Sequence, residues 1–196
     1  MRLSQQKLPR ASRLAWFLVG LTALGLGLSI RLTQDPRWVE WHLSRLGEGG
    51  HLSSAIFNYS LAIAALVLSL LVIRLARDFE NKEPKSTNKL FQTFGLIIAA
   101  CWLGVAAFPF DQFPITHNFF GYGMFTTVTI LLLGIAKIMP CVSKRTIVIS
   151  ISTATILTAL LILAHTTHVI DLVVVELTGQ ILFLAWLLSL SYDATD

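Results

Sequence analysis

The chain has 196 residues, of which 55% are hydrophobic and only 13% charged. A soluble domain of this length carries nearly twice that charge, and a mean hydropathy of +0.70 excludes an ordinary water-soluble globule. The net charge of +4 flanks apolar blocks instead of forming a basic patch, so it speaks for membrane topology and against a nucleic-acid partner.

Residues 1–13 are basic and polar, and Leu14–Ile30 is the first apolar block. No small-x-small cleavage site follows it, because Arg31, Leu32, Thr33, Gln34 and Asp35 come next. The block therefore reads as an uncleaved first helix. Five more apolar blocks follow: Ser54–Ile73, Phe91–Phe108, Phe119–Ile138, Thr146–Ala164 and Leu172–Tyr192. Blocks of about 18 residues or more cross a ~30 Å hydrocarbon core as helix. Lipid offers the backbone no hydrogen-bond partner, so helix is the form they must take. The expected fold class is all-α: one polytopic domain over residues 1–196 with six transmembrane helices.

Orientation follows from the Lys and Arg residues. Twelve lie on one side: Arg2, Lys7, Arg10 and Arg13 before the first helix, Arg74, Arg77, Lys82, Lys85 and Lys89 after the second, and Lys137, Lys144 and Arg145 after the fourth. Only Arg31, Arg37 and Arg45 lie on the other. Both termini are expected in the cytoplasm, with the chain in the inner membrane. Residues 77–89 read as a polar cytoplasmic linker containing Pro84, and as a seam between two helices and four.

The first outer loop holds more structure. Asp35 is placed to cap a helix, Pro36 to open it and Gly47 to end it. Val39, Leu43 and Leu46 recur at helical spacing beside Trp38 and Trp41, which predicts one short helix lying in the interface. On the third helix, Ala100 and Gly104 form a small-xxx-small pair suited to close backbone contact. Cys101 and Cys141 have no CxxC spacing and read as packing residues.

All five histidines fall on the outer side: His42, His51, His117, His165 and His168. Asp111 and Asp171 lie with them, Asn58 sits near the outer end of the second helix, and Glu176 lies about one turn inside the sixth. A bare carboxylate at that depth costs several kcal/mol, so Glu176 needs a partner. His117, His165 and His168 are the nearest by depth. Gln180 stands four residues on, on the same helix face. Asn58, Asp111, His117, His165, His168, Glu176 and Gln180 together predict a polar pocket. His117, His165 and His168 are also of the right type for a zinc ion, although the HTTH spacing is no metal motif. Pro109 and Pro114 are expected to end helix three and hold Asp111 beside His117 across a turn, with Gly121 and Gly123 thinning the start of helix four.

Three segments carry a resemblance. WHLSRLGEGGHLSSAIFNYSLAIAALVL has a Ser-x-Leu-Gly loop followed by Phe-Asn entering helix two. GVAAFPFDQFPITHNFF has a Gly…Phe-Pro-x-Asp…His turn, and VVVELTGQILFLAW a glutamate in the last helix. Together they resemble the prokaryotic six-helix membrane proteins grouped as domain of unknown function 998, over nearly the whole chain. The positions so matched are Ser44, Gly47, Asn58, Pro109, Asp111, His117 and Glu176. Where that pattern has an Arg after the glutamate, this chain has Leu177. In general plan the chain also looks like the Frag1/autophagy-modulator group, and that likeness implies dealings with lipid.

These readings predict an outer-leaflet pocket for a lipid or other amphiphile. An accessory subunit of a larger membrane complex and a metal-dependent membrane hydrolase are the alternatives. Membrane lipids and other membrane subunits are the expected partners. A cysteine introduced near Glu48 should react with a membrane-impermeant thiol reagent on intact cells, and one near Pro84 should not. The reverse labelling would invert the topology.

Overall fold

Each apolar block forms a helix, and most of the helices run past the block that predicts them. The computed structural model describes residues 10–80, 82, 85–167 and 170–194. Its helices are α1 (Ala11–Leu32), α2 (Leu52–Asp78), α3 (Lys85–Ala107), α4 (Pro114–Ile138), α5 (Lys144–Thr167) and α6 (Leu172–Asp193). All six are long and apolar enough to cross a membrane. Each helix packs on the next in chain order, and α6 returns to α1, so the bundle closes as a ring.

Hydrogen bonds fix which connections share an end. The Trp16 indole N–H donates to the Tyr192 hydroxyl at 3.1 Å, and the Ser143 N–H donates to the Asp193 carboxylate at 2.9 Å. The start of α1, the end of α6 and the α4–α5 link therefore meet at one end, the lysine end. The α1–α2, α3–α4 and α5–α6 connections meet at the other, the histidine end.

Much of the apolar core fills the lysine half. Leu71, Leu75, Leu132, Ile135, Trp186 and Leu190 are almost completely buried there. A buried indole needs an acceptor, and Trp186 donates to the Ser150 hydroxyl at 2.7 Å. The Ser150 hydroxyl in turn donates to the Thr146 carbonyl at 2.7 Å, and the Thr146 and Ser189 hydroxyls lie 2.7 Å apart. This hydroxyl ladder pins α5 to α6 where lipid supplies no hydrophobic drive between helices.

Two close approaches differ from the expected one. A Cβ at Gly25 would stand 2.2 Å from the Ser60 hydroxyl oxygen, so glycine there lets α1 lie against α2. Gly104, by contrast, makes room for the Phe120 ring of α4, whose nearest atom would be 2.3 Å from an added Cβ. Its expected companion Ala100 is exposed.

Three boundaries are corrected. Residues 77–78 and 85–89 are helical, not linker, and the Asn88 amide donates to the Ala76 carbonyl at 2.7 Å across the α2–α3 connection. Residues 81, 83 and 84 of the expected linker, Pro84 among them, lie outside the described residues. Helix α4 starts at Pro114, five residues before the apolar block, because proline suits the first helical position. The expected interfacial helix is two 3-10 turns, Pro36–Glu40 and Leu43–Gly47, broken at Trp41 and His42.

Candidate functional site: a roofed cavity at the histidine end

The loop between α1 and α2 is built from its first cap onward. The Asp35 carboxylate accepts from the Arg37 N–H at 3.0 Å, from the Arg37 guanidinium at 3.1 Å and from Arg45 at 3.2 Å. These bonds, Arg37's first, hold its pKa down to about 2. The chain then turns sharply at Trp41, and His42 is extended. That break strands the N–H groups of Leu43 and Ser44 at the head of a new turn, where no preceding carbonyl is in place to receive them.

Glu176 receives them. Its carboxylate accepts the N–H of Leu43 and of Ser44. In the opposite direction, the Val173 N–H, itself stranded in the first turn of α6, donates to the Trp41 carbonyl at 3.1 Å. The sequence places Glu176 inward, and it is inward. Its partner is the loop backbone, not the expected imidazole of His117 or His165. Bonds from N–H to a carboxylate contribute roughly 1.5–3 kcal/mol each.

Side chains complete the roof. Leu43 and Leu46 are buried against Phe57 and Val173. The Asn58 amide donates to the Gly47 carbonyl at 2.9 Å, and a Cβ at Gly47 would stand 2.5 Å from the Asn58 oxygen, so these two positions require each other. The Asp111 carboxylate accepts from the Gly49 N–H at 3.1 Å, beside two glycines at φ +79° and +67°. Asn58 and Asp111 are thus anchors of the loop and do not line the cavity beneath it.

That cavity holds about 360 Å³ and is lined by residues from all six helices, with His42, Leu43 and Ser44 above. Its walls are mostly apolar, among them Trp102, Phe125, Val128, Leu157 and Phe183. Five polar side chains from α4 and α6 line it: His117, Asn118, Tyr122, Glu176 and Gln180. His117 is 6% exposed, and because a carbonyl only accepts, its Nδ1–H donates to the Phe108 carbonyl at 2.8 Å. The Phe110 ring stands edge-on between His42 (4.8 Å) and His117 (5.7 Å). The amides of Asn118 and Gln180 have no hydrogen-bond partner among the described residues.

The expected Asp111–His117 pair is not made. Starting α4 at Pro114 puts His117 on the helix, bonded to Phe108, while Asp111 faces a separate polar depression with Asp35, Arg45 and Glu48. His165 is exposed at the end of α5. Its Nδ1 bonds the Leu161 carbonyl at 3.0 Å, and its Nε2 lies 3.4 Å from the hydroxyl of Tyr122, a cavity-lining residue. His168 lies outside the described residues. Among the described residues no three His, Cys, Asp or Glu side chains form a metal-holding group.

Sequence reasoning missed two residues of the site, Asn118 and His42. For His42 the only signal was its place between two short turns. Burial lowers its pKa to about 4, helped by the nearby His117 and Arg45, so the imidazole is neutral at physiological pH. Glu48 lies 3.7 Å away, and burial raises its carboxyl. No known family, curated protein or solved structure matches this chain.

Two outcomes test this construction. Glu176→Leu leaves the Leu43 and Ser44 N–H groups unpaired, at a cost of roughly 1–3 kcal/mol each. Hydrogen exchange at those two amides should speed up strongly, and less so in Glu176→Gln; unchanged exchange in the leucine variant would break the latch. For His42, the unfolded chain takes up a proton near pH 6.5 that the folded chain refuses until about 4. Stability therefore falls as pH drops through that window, by up to roughly 3 kcal/mol. Glu48, with its raised carboxyl, acts in the opposite sense, so the readout is the difference between wild type and His42→Gln. Parallel pH–stability curves would contradict the assignment.

Proposed function

We propose that this is a cytoplasmic-membrane protein with both termini inside, whose cavity at the outer leaflet binds a lipid or other amphiphile. One observation carries the reading: a mostly apolar cavity crowned at one end by polar side chains under a backbone-latched roof. That division matches a molecule with an apolar tail and a polar head. Its volume falls in the range of ligand sites, about 300–1,000 Å³. Tyr122 lines the cavity yet is 49% exposed, so the α4–α5 side offers a route from the surrounding bilayer.

The matched positions of the six-helix family support the same picture. Ser44, Gly47, Asn58, Asp111 and Glu176 join the loop to the bundle, and His117 stands at the cavity's upper end. We include membership of that family in the proposal. The accessory-subunit reading draws less support, since Gly104 is already filled by Phe120 of the same chain.

Gly121 provides the test. It lines the cavity, and a Cβ there would meet nothing within 4 Å, so a large side chain fills the space without a clash at its root. Gly121→Phe should abolish the amphiphile that copurifies with the wild-type protein, as read by mass spectrometry of extracted lipids, while shifting the melting temperature by only a few degrees. Equal bound amphiphile in both proteins would sink the proposal.

A further inference from the structure

The polar crown of the cavity has a charge and a hydrogen-bonding character of its own. No Lys or Arg lines it. The nearby guanidinium of Arg45 is bound to Asp35 and lies 5.0 Å from the centre of the Trp41 ring, facing the separate depression. His42 is neutral above about pH 4. Glu176 is the one carboxylate in the lining. A phosphate head would thus meet no cation, and would meet Glu176 across a medium that screens poorly.

The unpartnered groups point further. Asn118 and Gln180 each present a carbonyl that accepts and an amide nitrogen that donates. With Nδ1–H spent on Phe108, the neutral His117 ring offers Nε2 as an acceptor. A phosphate, which only accepts, leaves both amide carbonyls and Nε2 unpaired. An ammonium, which only donates, leaves the amide N–H groups unpaired and has only Glu176 as a counter-charge, whose carboxylate the roof already engages. A hydroxyl does both. Space is limited as well: about 360 Å³ is near the low end for ligand sites, which favours a single chain over two.

We propose that the cavity selects an uncharged, hydroxyl-headed, single-chain amphiphile, of the kind represented by a monoacylglycerol or a long-chain alcohol, over phosphate- and amine-headed ones. Asn118, Gln180 and His117 read the hydroxyl, and the apolar wall takes the chain. This rests on the amphiphile-binding reading above, and the experiment separates the two.

The full chain is purified in an amine-oxide detergent, since sugar-headed detergents would compete with their own hydroxyls. Binding of monododecanoylglycerol, dodecanol, dodecyl phosphate and dodecylamine is measured by native mass spectrometry. The two hydroxyl compounds should bind at least tenfold tighter than the other two. The double variant Asn118→Leu with Gln180→Leu, which removes side chains without a protein partner, should erase that preference while still admitting dodecane-chain compounds weakly. Gly121→Phe should abolish all binding. If no compound binds wild type, or Gly121→Phe changes nothing, the cavity reading itself falls and this proposal with it. If Gly121→Phe blocks binding but dodecyl phosphate or dodecylamine binds as well as the hydroxyl compounds, the cavity reading stands and the hydroxyl selectivity is overturned. A preference that survives the double variant equally overturns the reading by Asn118 and Gln180. Preference for only one hydroxyl compound tells a glycerol head from a simple alcohol and supports the selectivity.

Discussion

The histidine end depends on one carboxylate placed where lipid would otherwise surround it. Glu176 lies in the second turn of a membrane-spanning helix, too deep for its short stem to reach water easily. The α1–α2 loop resolves this by breaking its own helix. Had residues 36–46 formed one continuous helix, the N–H groups of Leu43 and Ser44 would be spent on carbonyls four residues back. The break at Trp41–His42 releases them, and Glu176 takes both. The loop returns the Trp41 carbonyl to the Val173 N–H, so each segment satisfies groups the other leaves stranded. The positions of Leu43, Leu46, Gly47 and His42 then follow from that latch.

The bundle is correspondingly uneven along its axis. In the lysine half a ladder of polar groups pairs within the protein: Trp186 with Ser150, Ser150 with Thr146, Thr146 with Ser189. Leucines and isoleucines fill the remaining space. In the histidine half, Gly121 faces open space, the wall side chains stop short of one another, and two amides lack protein partners. An unpaired amide at membrane depth is costly unless water or a ligand completes it. A hollow with such groups is therefore a poor stabilising device, which supports the proposed binding reading.

The sequence makes the helices legible because the signal is length of apolar run, which needs no period and no partner. Boundaries fail where a polar or aromatic prelude belongs to the helix. Pro114 opens α4 by the same rule that Pro36 obeys in the loop, and applying it there would have put His117 on the helix. Energetic reasoning also placed Glu176 inward and Gln180 with it. What it could not supply was the partner, because a backbone N–H has no residue letter. Asp111 and His117 show the converse: near in sequence, and of complementary chemistry, they are separated by the helix start between them and serve different structures. Asn58 reads as a pocket residue for its polarity, yet its amide is spent on Gly47.

The same hydrogen bonds bear on whether this end of the bundle holds a molecule or transforms one. A general base must have a lone pair free and be able to accept a proton from its substrate. Glu176 is engaged by two N–H groups, and protonating it would weaken the bonds that seat the roof. His117 is fixed through Nδ1 to a carbonyl, with no carboxylate behind it to stabilise an imidazolium as a hydrolytic triad provides. His42 resists protonation until about pH 4. These three titratable groups are therefore committed to structure or held neutral, the Tyr122 hydroxyl lies 3.4 Å from His165, and Asn118 and Gln180, left uncommitted, neither titrate nor attack. Such a lining can recognise a polar head by shape and hydrogen bonding. It is poorly placed to move that head's protons, which favours the proposed binding reading over the hydrolase.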